Sequence, residues 1–304
     1  MPASVGRAGG GAGEPVILAS LPSPPFNSFP FGPLRIHIYG ILMGLAVATA
    51  YLVIVKRYVH FGGERSVVER AAFWAVVVGF MGARLAYVST HLYRYRGDWL
   101  GVFKVWEGGL ALFGGLTLGA AAAAFVMWRS DGKFVLMADA AAIGLPAAQA
   151  IGRWGNYFNQ ELFGTPSGLP WAVEIDPAHR PDQYLASATF HPTFLYESLW
   201  NLGIVLFLLW LERRQRLRRG ALFATYLVLY AAARFGLEMI RTDTTFRLLG
   251  ISRNGWVALG AVLLGTGLLV AIDRPRGPVD PEVAVVTRGG AEDAPQTVLS
   301  DRDG

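Results

Sequence analysis

The stretch Ile36-His37-Ile38-Tyr39-Gly40-Ile41-Leu42-Met43-Gly44-Leu45-Ala46-Val47-Ala48-Thr49-Ala50-Tyr51-Leu52-Val53-Ile54-Val55 carries no Lys, Arg, Asp or Glu, and it is bracketed by Arg35 and Lys56. A helix of about 20 such residues, rising about 1.5 Å per residue, matches a hydrocarbon core about 30 Å thick. Similar runs recur along the chain, and they predict spans at roughly 36–58, 67–90, 108–128, 134–152, 193–211, 220–240 and 254–272. The composition agrees, with 53% hydrophobic and 16% charged residues in 304, where a soluble domain carries about 25% charged residues. The expected fold is an all-α integral membrane protein of about seven transmembrane helices. The third span, with Gly114, Gly115, Gly119 and Ala120 to Ala124, is suited to close helix–helix packing.

Charge sets the expected orientation. Arg213, Arg214, Arg216, Arg218 and Arg219 crowd the loop after the fifth span, which the positive-inside rule assigns to the cytoplasm. Lys56, Arg57, Arg65, Arg70, Arg129, Lys133, Arg274 and Arg276 then fall on the same side, with the N-terminus outside and the C-terminus inside. Residues 34–273 form the membrane domain, and its long outer loop, 153–192, is expected to build a small extracytoplasmic head. Residues 1–33 are rich in Gly, Pro, Ala and Ser and read as a flexible lead-in that settles along the membrane surface near Phe26 to Phe31. They lack the basic stretch and apolar run of a cleaved signal. Residues 274–304 read as a disordered cytoplasmic tail.

Several chemistries are excluded. The chain has no cysteine, and so no disulfide, thiolate zinc site or cysteine nucleophile. The net charge of +5 fits cytoplasmic loop bias rather than nucleic-acid binding. No Walker or dinucleotide motif, nucleophile elbow or HExxH pair occurs.

Polar residues within or beside spans are costly and mark function. Four groups stand out, all at the outer helix ends of this topology. His37-Ile38-Tyr39-Gly40 opens the first span, where Tyr39 also suits an interfacial anchor. The run from Gly152 to Gly164 packs Arg153, Asn156, Asn159, Gln160 and Glu161 closely. A helical turn would set Arg153 and Asn156 on one face, and the arginine fork suits phosphate or carboxylate. His191-Pro192-Thr193-Phe194-Leu195-Tyr196-Glu197 opens the fifth span and buries Glu197, which needs a cation, with an arginine expected. Tyr230, Arg234 and Glu238 fall at i, i+4 and i+8 on one stripe, followed by Arg241 and Asp243, and Arg234 and Glu238 can pair along the helix. The four groups describe an outward-facing polar cavity in which Arg153 and Arg234 hold an anion, with a phospholipid headgroup the obvious one.

These residues resemble the bacterial phosphatidylglycerol–prolipoprotein diacylglyceryl transferase family. The run Gly152-Arg153-Trp154-Gly155-Asn156-Tyr157-Phe158-Asn159-Gln160-Glu161-Leu162-Phe163-Gly164 is similar to its signature. The match extends to His37–Gly40, Gly82-Ala83-Arg84-Leu85-Ala86-Tyr87, Trp106-Glu107-Gly108-Gly109-Leu110, His191–Glu197, and Arg234 to Glu238 with Arg241. The resemblance implies a seven-helix bundle with a small periplasmic head, in the bacterial cytoplasmic (inner) membrane, without metal or cofactor. It implies transfer of the diacylglyceryl group of phosphatidylglycerol to the lipobox cysteine thiol of a prolipoprotein signal peptide, with release of glycerol phosphate. Catalytic roles carry over to Arg153, Arg234, Tyr39 and Glu238, the last positioning Arg234. Substrate-binding roles carry over to Asn156, Glu161, Gly164 and Tyr230, and His37 and His191 are placed with them.

Two departures stand out. Many members carry a histidine in a His-Gly-Gly-Leu segment, where this chain has Phe113-Gly114-Gly115-Leu116. Phenylalanine accepts no proton, so either the histidine's role is not universal, or another group, His37, His191 or a carboxylate, activates the thiol, or the protein is a weak or inactive relative. The segment Ile251-Ser252-Arg253-Asn254-Gly255 also lacks the glutamine expected there. Two other readings stay open: a non-catalytic phospholipid-binding relative, suggested by Phe113, and a membrane anion transporter, which the arginines fit but which lacks the internal repeat many transporters show.

Overall fold

The computed structural model describes residues 20–32, 34–105, 108–214, 217–242 and 247–273. Residues 1–19 of the lead-in, Trp106, Glu107, Arg216, Asp243 and the tail from Arg274 lie outside the described residues.

The apolar runs form long helices: α1 (Ile38–His60), α2 (Arg65–Thr90), α3 (Leu112–Arg129), α4 (Phe134–Gly152), α6 (Thr193–Arg214), α7 (Ala221–Ile240) and α8 (Arg253–Asp273), with a short α5 (Trp154–Phe158) after α4. Six of the helices are long and apolar enough to cross a membrane, the fourth as Phe134–Phe158. The protein is a multi-pass membrane protein in which α3, 18 residues long, is a shorter apolar helix. Its start falls after the expected residue 108 because Gly108 and Gly109 take φ of +86° and +82°, outside any helix.

The chain divides into two compact units. Of the described residues, the first comprises those within 20–48, 147–203 and 230–260, and the second those within 49–146, 204–229 and 261–273.

In the first unit, β1 (Ser28–Phe31) pairs antiparallel with β2 (Leu34–His37), which runs directly into α1. The expected lead-in is thus paired backbone over its last residues. Leu21 also bridges Val173, and its N–H donates to the Ala172 carbonyl at 2.7 Å. The segment after α5 carries β3 (Val173–Glu174) against β4 (Thr189–Phe190). Phe163, Val173, Ile175, Phe190 and Phe194 form its buried core, with Leu21, Tyr157, Tyr184 and Leu195 packed on it. A third hairpin, β5 (Arg247–Leu248) with β6 (Ile251–Ser252), leads into α8.

In the second unit, α2 and α3 pack backbone to backbone. A Cβ on Gly82 would lie 2.7 Å from the Gly114 carbonyl oxygen, and one on Gly119 would lie 2.8 Å from that of Ala75. The small residues of the third span therefore serve the close approach they suggest. Arg84 of α2 is buried and gives its guanidinium to the connection before α3, donating to the carbonyls of Val102 (2.7 Å), Gly108 (2.6 Å), Gly109 (3.0 Å) and Gly101 (2.9 Å). Elsewhere Arg57 of α1 meets both oxygens of Glu212 on α6 at 2.6 Å. Asp139 of α4 caps α7 from outside, accepting from the N–H groups of Gly220 (2.6 Å) and Phe223 (3.1 Å).

Candidate active site

All ten residues expected at the site belong to the first unit. The outer helix ends expected to converge are residues 38–48 of α1, 147–152 of α4, 193–203 of α6 and 230–240 of α7, and all fall within it.

Arg153 is the single residue between α4 and α5. Its Nη2 pairs with Glu197 Oε2 of α6 at 2.7 Å, and the Glu197 side chain is 4% exposed. The carboxylate at the start of α6 thus has the arginine it requires. Asn156 follows Arg153 by one tight turn, its N–H donating to the Arg153 carbonyl at 3.1 Å. Its Nδ2 donates to Glu161 Oε1 at 2.9 Å, while the Glu161 N–H donates to the Asn156 carbonyl at 3.1 Å. The carboxylate of Glu161 is exposed. The residues on either side of it, Gln160 and Leu162, hold φ of +50° and +58°, an uncommon left-handed backbone for side chains of this size.

On α7, Arg234 Nη2 pairs with Glu238 Oε2 at 2.6 Å, one turn along the helix. The other carboxylate oxygen of Glu238 accepts from Ser252 Oγ at 2.8 Å and Asn254 Nδ2 at 3.3 Å. The segment lacking the family's glutamine therefore still reaches Glu238, through shorter side chains. Glu238 is 2% exposed, so its charge is held by partners rather than by water. Arg234 Nη1 is buried and meets no hydrogen-bond acceptor among the described residues. Leaving such a donor unmet costs about 1–3 kcal/mol. Arg153 and Arg234 thus each give Nη2 to a carboxylate, and Arg234 keeps Nη1 without an acceptor among the described residues.

The remaining candidates take several positions. The Tyr39 ring lies on α5, where a Cβ on Gly155 would stand 2.5 Å from Tyr39 Cδ2. Tyr230 is half-buried on α7. Gly164 is buried between two strands of backbone: its N–H donates to the His191 carbonyl at 3.0 Å, it bridges Arg241, and a Cβ would lie 2.8 Å from that of His191. His191 faces the Tyr196 hydroxyl through Nδ1 at 3.2 Å. His37 stands opposite Ser28 in the first hairpin, exposed. Neither histidine shares a hydrogen bond with Arg153 or Arg234 among the described residues. Phe113, on α3 of the second unit, is exposed. No group of three or more metal-ligating side chains could hold a metal ion among the described residues.

Sequence reasoning did not single out Ser198. Its Oγ donates to the Ala150 carbonyl at 2.8 Å and accepts from Trp154 Nε1 at 3.2 Å. The available signal was a polar residue directly beside the buried Glu197.

Fold and site together define a polytopic helical membrane protein in which Arg153 and Arg234 are each held by a buried carboxylate. The chain belongs to the prolipoprotein diacylglyceryl transferase family, whose model matches residues 27–271. It is 41% identical over 278 residues to phosphatidylglycerol–prolipoprotein diacylglyceryl transferase 2 of Streptomyces coelicolor, covering 90% of this chain and 87% of that protein. It is 41% identical to the phosphatidylglycerol–prolipoprotein diacylglyceryl transferase of Cutibacterium acnes, over 88% of this chain and 92% of the relative. The Frankia alni protein of the same name is 42% identical, over 88% of this chain and 71% of the relative.

Proposed function

We propose that this chain transfers the diacylglyceryl group of phosphatidylglycerol to the lipobox cysteine thiol of a prolipoprotein, the first step of lipoprotein maturation. The observation that carries the reading is Arg234 Nη1, a buried guanidinium donor with no acceptor among the described residues, beside a guanidinium edge already fixed by Glu238. A phosphate oxygen is the acceptor that matches such a donor. In the reaction the thiol sulfur forms a bond to the glycerol carbon of the diacylglyceryl group. The bond from that carbon to the phosphate ester oxygen breaks, and its electron pair leaves with glycerol phosphate. Arg153 and Arg234 stabilise the charge gathering on that phosphate.

The other residues serve orientation. Tyr39 and Tyr230 flank the headgroup, and Asn156 with Glu161 binds its glycerol. Gly164 lets the backbone come close. The thiol proton leaves to a group other than residue 113: His37, His191 or a carboxylate, of which Glu161 is the exposed one among the site candidates.

The proposed topology has seven spans, with α3 as the third, in the bacterial inner membrane. The arginines of the α6–α7 connection support a cytoplasmic position for it. The segment 153–192 is then the extracytoplasmic head, and Arg153 and Arg234 face that side, where a prolipoprotein signal peptide arrives.

A second reading, phospholipid binding without turnover, is favoured by Phe113 alone. One experiment separates the two. The purified protein, in phosphatidylglycerol-containing micelles with a lipobox peptide and label in the acyl chains, should form a labelled thioether. Arg153→Ala and Arg234→Ala should lose it. Binding with no thioether would favour the second reading, and full activity in both variants would sink the residue assignment.

A further inference from the structure

Arg153 sits where two helices part, and the neighbouring helix holds that junction at three points. α4 ends at Gly152 and α5 begins at Trp154. The last carbonyls of a helix lack intrahelical donors, and one of them, Ala150, takes the Ser198 hydroxyl at 2.8 Å. The same hydroxyl accepts from the Trp154 indole at 3.2 Å. One residue earlier on α6, Glu197 takes Arg153 at 2.7 Å. Adjacent side chains of α6 thus hold residues on both sides of the junction and the arginine between them. α6 is itself anchored nearby, where Thr193 Oγ1 donates to the Leu162 carbonyl at 2.5 Å.

We infer that Glu197 is the positioning residue of Arg153, with Ser198 fixing the helix junction that carries it. The inference rests on the reading of Arg153 as a phosphate-holding group. Glu197 is to Arg153 what Glu238 is to Arg234, with one difference in construction. Glu238 reaches its arginine along one helix, whereas Glu197 reaches across from another. A guanidinium on a long side chain has many rotamers. A buried carboxylate at one edge selects one orientation of its plane and leaves the other edge for the ligand. The carboxylate also offsets part of the cation's pull on the incoming lipid. Its benefit therefore lies in orientation toward the charge that develops on the leaving phosphate, and loss of Glu197 should lower kcat more than headgroup affinity.

The test is Glu197→Gln, which keeps shape and an acceptor but deletes the charge, beside Glu197→Asp, which keeps the charge on a shorter arm. Transfer from phosphatidylglycerol in micelles to a lipobox peptide is measured per folded molecule, with the folded fraction taken from the melting amplitude. Binding of the same micellar phosphatidylglycerol is measured in parallel. Glu197→Gln should lose about 10–100-fold in kcat, the range found when a partner that orients a ligand group is removed. Affinity should change by a smaller but measurable factor, and Glu197→Asp should recover part of the rate. A lowered melting temperature with wild-type kcat and affinity per folded molecule would make Glu197 merely structural and overturn the inference. If the wild-type protein binds lipid but transfers nothing, the functional reading fails by itself. Headgroup affinity then decides: a changed affinity in Glu197→Gln supports positioning, and an unchanged one overturns it.

Discussion

Gln160 and Asp176 hold each other by two hydrogen bonds. The Gln160 side-chain amide donates to Asp176 Oδ2 at 2.5 Å, and the Asp176 N–H donates to Gln160 Oε1 at 2.7 Å. The clamp spans the loop that begins with left-handed Gln160 and places Glu161 against Asn156.

The clamp has a pH dependence. The hydrogen bond from Gln160, with a further one from Ser23, holds the Asp176 carboxyl below its ordinary range. A carboxyl depressed in the folded state contributes stability above its unfolded pKa, about 3.9, and that contribution is lost as pH falls through the folded value. Amide hydrogen exchange of residues 159–176 should therefore be constant from about pH 7 to 5 and should accelerate, after correction for intrinsic rates, below about pH 4. Asp176→Asn should flatten that acid-side change. Equal acid sensitivity in the variant would count against the clamp.

Arg84 should be structural rather than anion-binding. Its guanidinium is spent on backbone carbonyls of residues 101–109. Arg84→Ala would leave those carbonyls without their donor, at a cost of about 1–3 kcal/mol for a buried polar group left unmet. The expected readouts are a lower melting temperature and protease cleavage within residues 91–111. Arg84→Lys should recover little, because an ammonium cannot reproduce the planar fork.

The α2–α3 contact separates two kinds of glycine. A Cβ on Gly114 would stand 2.6 Å from the Gly82 carbonyl oxygen, so Gly114→Ala must push the helices apart. Overpacking of this kind costs about 1–3 kcal/mol. A Cβ on Gly203 of α6 meets nothing within 4 Å, so Gly203→Ala should be neutral or stabilising by up to about 1 kcal/mol through helix propensity. Melting temperatures of the two variants in one detergent decide the matter, and equal effects would refute the contact.

Asp139→Ala should weaken the start of α7. It removes the acceptor for the Gly220 and Phe223 N–H groups, and loss of a cap costs about 0.5–2 kcal/mol. Exchange of the first amides of α7 should rise, while amides near Glu238 stay protected.

The helices were legible in the sequence because apolar runs of bilayer length need no knowledge of neighbours. Arg234 with Glu238 was legible because i, i+4 spacing is local. Glu197 announced its need for a cation, because a buried carboxylate cannot stand alone. What stayed hidden depends on pairs far apart in the chain: Arg57 with Glu212, Asp139 with the start of α7, and Ser198 with Ala150. Nothing in local spacing specifies those registers. The hairpin from Ser28 to His37 was hidden for another reason. Its Gly- and Pro-containing surroundings carry the composition of a flexible lead, and the pairing comes from backbone groups that composition does not report. The turn from Arg153 to Asn156 was legible in their spacing, but the partner of the Asn156 amide was not: the chain leaves the helix at Asn159, and the loop brings Glu161 to it.

The claim that Arg234 offers a waiting donor to phosphate is tested most directly by Arg234→Lys. Lysine keeps a positive charge against Glu238 and removes the planar second amino group. The measurement is kcat for labelled diacylglyceryl transfer from phosphatidylglycerol to a lipobox peptide, per folded molecule. A loss of about 100-fold or more at an unchanged melting temperature is expected, the scale of deleting one donor that stabilises developing negative charge. A rate within about threefold of wild type would contradict the assignment of Arg234 to the phosphate.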